Sequence, residues 1–107
     1  MDLIIGMGEV GSTLYNLLLS RKIECSGWDV VQSKCRNYPP KEVDVLHIAC
    51  PYFNGFEKYV VERIADRKPR YCMIHSTIPI GTTRKIQDMT KVKIIFAPAR
   101  GRHDTFL

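Results

Sequence analysis

The sequence predicts an α/β domain, a three-layer arrangement around a reduced parallel sheet of about five strands in spatial order 2-1-3-4-5. Short apolar runs alternate with amphipathic stretches from one end of the chain to the other. The first run breaks directly into Gly6-Met7-Gly8-Glu9-Val10-Gly11, a G-x-G-x-x-G pattern. The stretch after Asp29 is too short and irregular to hold a crossover helix, which is why the sheet is expected to be reduced.

Strand one is expected over about Asp2–Ile5. A helix from about Glu9 to Ser20 follows, with Val10, Leu14, Leu17 and Leu18 on one face. Arg21 and Lys22 suit the negative end of its dipole. Strand two is read at about Glu24–Trp28. Val30 to Pro40 is polar and ends in Pro39-Pro40, so at most a brief helical turn fits. Val43–Cys50 is almost continuously apolar, as a parallel strand covered on both faces should be, and Pro51 stops it. Asn54 is the expected cap of a helix from Gly55 to about Asp66, with Phe56, Val60 and Ile64 stacked. Strand four is Tyr71–His75, a short helix runs from about Thr82 to Met89, and strand five is Val92–Phe96. Right-handed crossovers then bring the glycine loop, Asp29, Cys50-Pro51-Tyr52, Ser76-Thr77 and Pro98-Ala99-Arg100 to one sheet edge.

A strand that turns through glycines into a helix is a phosphate-binding device, and the expected fold is Rossmann-like. Gly6 serves the tight turn, Gly8 admits a pyrophosphate to the backbone, and Gly11 lets the helix pack close. The helix N-terminus supplies free N–H groups and a positive dipole end. The loop Gly6, Met7, Gly8, Glu9, Val10 and Gly11 is therefore the expected pyrophosphate cradle. Asp29, 18 residues after Gly11, is placed to accept the adenosine ribose hydroxyls; the alternative is a strand-terminal turn acid. An acid there favours NAD. NADP is the weaker alternative, kept open by Lys34 and Arg36.

At 107 residues the chain is read as one domain, residues 1–107. Hydrophobic residues make up 45% and charged residues 25%, the balance of a globular protein, and no apolar run is long enough to span a membrane. Strand one begins so near Met1 that a signal peptide has no room, giving a cytoplasmic expectation. Cys25, Cys35, Cys50 and Cys72 are scattered without a C-x-x-C pair, which disfavours a disulfide framework or a zinc site. The net charge of +5 is spread along the chain and no nucleic-acid-binding motif accompanies it; a basic balance suits a phosphate-bearing ligand. An exposed edge at strand two would call for a homo-oligomeric partner or cover by the proline-containing loop.

The segment His75-Ser76-Thr77-Ile78-Pro79-Ile80-Gly81-Thr82-Thr83 resembles the S-T-[IV]-P-x-G-T stretch of the UDP-glucose/GDP-mannose dehydrogenase family. The glycine loop, Trp28-Asp29 and Ala49-Cys50-Pro51 fall in that family's order. The resemblance extends over the chain but only to the N-terminal NAD-binding part of such enzymes, which oxidise the C6 alcohol of a nucleotide sugar. It implies that Thr77 lies beside the reacting centre and that Cys50, Pro51, Ser76 and Thr77 line the path to the nicotinamide; the alternatives are a buried thiol at Cys50 and a turn residue bonding its own loop at Thr77. The chain departs from the family at Ala99, where an acid is usual. It also lacks the family's nucleophilic-cysteine motif and its helical linker, and Asp104 reads as a helix cap with no helix after it. The resemblance thus implies a truncated or reduced relative, inactive alone, with a non-catalytic nucleotide-binding or regulatory module as the alternative. Among the remaining polar residues, His47 reads as a core or rim histidine, His75 as a candidate ligand contact or proton carrier, and Arg100 and Arg102 as anion contacts or solvated surface.

Overall fold

The computed structural model describes residues 1–98. Ala99, Arg100, Arg102, His103 and Asp104 lie outside the described residues. Strand β1 is Asp2–Ile5, α1 Glu9–Ser20, β2 Cys25–Trp28, β3 Val45–Ile48, α2 Phe56–Arg67, β4 Tyr71–Ile74, α3 Thr82–Met89 and β5 Lys93–Phe96. A single 3-10 turn, Gln32–Lys34, stands where the missing crossover helix would be. All four strand pairings are parallel and the order is β2-β1-β3-β4-β5, as the alternation predicts.

The strands divide their side chains between two cores. Leu3, Ile5, Leu46, Ile48, Cys72, Ile74 and Ile94 point to the side covered by α2 and α3, where Phe56, Val60, Ile64 and Ile86 meet them. Ile4 and Cys25 point the other way, against Met7, Leu14 and Leu18. Each fully buried Leu, Ile or Phe contributes about 1.5–3 kcal/mol.

Helix ends depart from the sequence reading. Asn54 does not cap α2; Gly55 does, with φ 94° and no side-chain hydrogen bond, because the chain must turn through left-handed space to enter the helix. α1 closes with Ile23 N–H on the Leu18 carbonyl and Lys22 N–H on the Leu19 carbonyl, both 2.9 Å. Lys22 therefore sits at φ 61°, the position a glycine normally takes.

The β2 edge is covered from within the chain. Gly27 and Arg36 exchange both backbone hydrogen bonds, at 2.8 and 2.9 Å. The Asn37 side-chain amide donates to the Cys25 carbonyl at 3.0 Å. The connection after Asp29 thus occupies part of the edge that would otherwise be open to another strand.

Candidate functional site

Gly6 leaves β1 with φ 96°, and a Cβ there would lie 2.5 Å from the Cys50 backbone nitrogen. The turn and the β3 exit therefore touch backbone to backbone. A Cβ on Gly11 would fall 1.8 Å from the Gly6 carbonyl oxygen, so the helix start rests directly on the turn. Gly8 is different: it is exposed and nothing lies within 4 Å of where its Cβ would be. No protein contact demands a glycine there. Gly8 is the N-cap of α1 and makes no side-chain cap, so the first amides of the helix point outward past a bare backbone. Glu9 and Val10 begin the helix beside this opening.

Met7 is buried and fills the notch above Gly27, where a Cβ would come 2.3 Å from the Met7 sulfur. The Met7 N–H donates to Asp29 Oδ2 at 2.8 Å, and the Val31 N–H donates to Oδ1 at 2.9 Å. Those two backbone donors, Val31 first, hold the Asp29 carboxyl below the usual range, and Lys34 adds to the effect. Asp29 is thus the strand-terminal turn acid, and it also lines the mouth of the cleft.

The cleft has a volume of 620 Å³ and opens between the β1 and β3 exits. Gly6, Gly8, Asp29, Cys50 and Pro51 line it together, as the topology requires. It also has an aromatic wall that the sequence reading did not assemble: Trp28, Tyr52, Phe53 and Tyr59. Phe53 meets Tyr59 edge-on at 5.5 Å, and Tyr59 carries the Arg63 guanidinium 4.9 Å above its ring. The adjacent Tyr52-Phe53 pair after Pro51 was the available signal. Trp28, the Tyr52-Phe53 pair and Tyr59 are separated along the chain and converge only through packing.

A second hollow of 280 Å³ continues on the far side of Cys50 and Pro51, lined by Val10, His75, Ser76 and Thr77. The Ser76 hydroxyl donates to the Cys50 carbonyl, so it ties the β4 exit to the β3 exit. Thr77 is exposed at this hollow. Burial pushes the Cys50 thiol pKa up, and the nearby Asp29 charge adds to it, so the thiol stays protonated. His47 is a buried, fully partnered core histidine between Asp2 and His75. His75 is buried too, with its Nδ1 donating to the Ala97 carbonyl at 2.9 Å. Among the described residues no cluster of His, Cys, Asp and Glu could hold a metal, and no helix is long and apolar enough to cross a membrane.

No protein-family model and no curated protein matches the chain. Among solved structures it is similar to 3-hydroxyisobutyrate dehydrogenase of Mycobacterium tuberculosis, determined with L-serine, at a TM-score of 0.74 and 18% identity. The match covers 95% of this chain and 41% of that one. The chain therefore spans less than half the length of that dehydrogenase, and at this identity the likeness establishes the α/β Rossmann-like fold.

Proposed function

We propose that this chain is the dinucleotide-binding domain of an NAD-dependent oxidoreductase. The observation that carries the reading is Gly8, a bare residue facing solvent at a helix N-terminus, with no protein atom to account for it. The residues fit the group. Amides of Gly8, Glu9 and Val10 would face the pyrophosphate, Asp29 would accept from the adenosine ribose, and Trp28, Tyr52 and Phe53 would flank the base. Cys50, Pro51, Ser76 and Thr77 would border the nicotinamide. When bound, NAD supplies the hydride-accepting ring; the chain's own part is to bind it, orient it and keep Asp29 ionised.

Calorimetric titration with NAD, NADP and ADP tests this. NAD and ADP are expected to bind and NADP more weakly, because the Asp29 carboxylate repels a 2′-phosphate. Absence of binding by all three would sink the reading.

For the whole oxidoreductase we favour a nucleotide-sugar 6-dehydrogenase, supported by the His75–Thr83 segment with Thr77 beside the reacting centre. A small-hydroxyacid dehydrogenase is the second reading, supported by the structural likeness to 3-hydroxyisobutyrate dehydrogenase. Steady-state assays of the gene product with nucleotide sugars and with 3-hydroxyacids separate them. Turnover of neither, with NAD bound, would point to a non-catalytic nucleotide-binding module.

A further inference from the structure

A polar diagonal crosses the sheet face beneath α1. Asp2 Oδ2 lies 2.9 Å from His47 Nε2, His47 Nδ1 lies 3.0 Å from His75 Nε2, and His75 Nδ1 lies 2.9 Å from the Ala97 carbonyl oxygen. The side chains come from the start of β1, the middle of β3 and the exit of β4, and the last acceptor follows β5. Both imidazoles are only 4% exposed and their rings are within 18° of parallel.

The end groups determine the hydrogens. A carbonyl only accepts, so His75 Nδ1 carries a hydrogen. Burial and the neighbouring His47 push the His75 pKa down to about 4, so His75 stays neutral with its one hydrogen on Nδ1; its Nε2 accepts and His47 Nδ1 donates. At the other end a carboxylate also only accepts, so His47 Nε2 must carry a hydrogen as well. All three bonds are made only when the chain holds one proton more than a carboxylate and two neutral imidazoles bring. A second extra proton is opposed: burial first, then the His47 charge, pushes the His75 pKa down to about 4.

Apolar residues in these places would avoid the desolvation of three polar groups, so stability alone does not explain the diagonal. Its far end does. The His75 N–H donates to the Ile48 carbonyl, the Ala97 N–H to the Ile74 carbonyl, and the Ser76 hydroxyl to the Cys50 carbonyl. The diagonal thus terminates on one hydrogen-bonded row that joins the β3, β4 and β5 exits at the Thr77 hollow.

We infer that Asp2, His47 and His75 are positioning residues which, through one shared buried proton, set the Cys50–Ser76–Thr77–Ala97 rim against the nicotinamide half of the cofactor. The nature of the ligand rests on the function proposed above; the shared proton and the set of the rim do not. Other titratable or charged groups around the diagonal are Cys25 on β2 and the Met1 ammonium, both influenced by the Asp2 charge, with Tyr71 on β4 and Lys93 on β5 further along the same face. α1 presents Leu14 and Leu18 to this side.

Nitrogen-15 NMR of the histidines near neutral pH tests the proton directly. Two nitrogen-bound hydrogens are expected on His47 and one, at Nδ1, on His75. In Asp2→Asn the second His47 hydrogen should be lost. The amides of Cys50, Ser76, Thr77 and Ala97 should shift while those of Gly6 to Gly11 stay. NAD should then bind about fivefold more weakly or worse, with ADP unchanged, because ADP does not reach the rim. A single hydrogen on wild-type His47, or a folded Asp2→Asn protein with unmoved rim amides, would overturn the inference; so would an unchanged ratio of NAD to ADP affinity. Should the wild type bind neither nucleotide, the proposed function fails and the histidine and amide signals still decide this point. If Asp2→Asn does not fold, His47→Gln, which breaks the diagonal at its middle, must move the same rim amides, and their failure to move is equally fatal.

Discussion

The Gly6 carbonyl oxygen stands 1.8 Å from the point a Cβ on Gly11 would occupy. The first turn of α1 is thereby seated on the turn that leaves β1, with backbone on both sides and nothing flexible to give way. Gly11→Ala must lift the helix off the strand, a cost at or above the upper end of the ~1–3 kcal/mol usual for overpacking. A fall in denaturation midpoint of that size is the expected result.

Gly8→Ala should behave in the opposite way. Its φ of −75° suits any residue and its surroundings are open, so stability should fall by no more than the ~0.5–1 kcal/mol that a glycine N-cap is worth over alanine. Nucleotide affinity should fall about tenfold or more, because the new methyl occupies the path to the helix amides. Equal losses in both variants, by calorimetry and thermal melting, would mean that Gly8 has a packing role instead.

Asp29→Asn keeps the shape but sets an amide N–H₂ against one of the two backbone donors, Met7 or Val31. The nucleotide is expected to bind about 1–3 kcal/mol more weakly by titration. Because the Asp29 pKa is lowered in the folded state, its contribution to stability is present above the ordinary carboxylate range and is lost as pH falls through the folded value. Acid denaturation of Asp29→Asn should lack that component.

His75 titrates with the opposite chemistry. Its folded pKa of about 4 lies below the ordinary histidine value of 6.5, so the unfolded chain binds a proton that the folded chain refuses. Stability should therefore fall as pH drops from about 6.5 to about 4, by on the order of 3 kcal/mol. Urea melts across this range measure it, and His75→Asn should flatten the slope.

Lys22→Gly should raise stability by about 0.5–1 kcal/mol, since Lys22 closes α1 in left-handed space. Its side chain is exposed, so no packing is lost. An unchanged or lower melting temperature would contradict this account of the helix end.

Sequence by itself determined the order of strands and helices, the order of the sheet, and the meeting of the glycine loop, Asp29, Cys50 and Thr77 at one edge. Those properties are local: the period of apolar residues, prolines that stop strands, and glycines at fixed offsets each act within a few residues. Tertiary structure alone decided that Met7 fills the notch at Gly27, that Asp29 holds the loop amide, and that Trp28, Tyr52, Phe53 and Tyr59 form one wall. It also decided that Asp2, His47 and His75, 45 and 28 residues apart along the chain, share a row of hydrogen bonds. The physical reason is that a single residue's type states what it can donate, accept or bury. Which distant partner it meets depends on strand register and on the direction each side chain takes from its pleat, and these exist only once the sheet has closed.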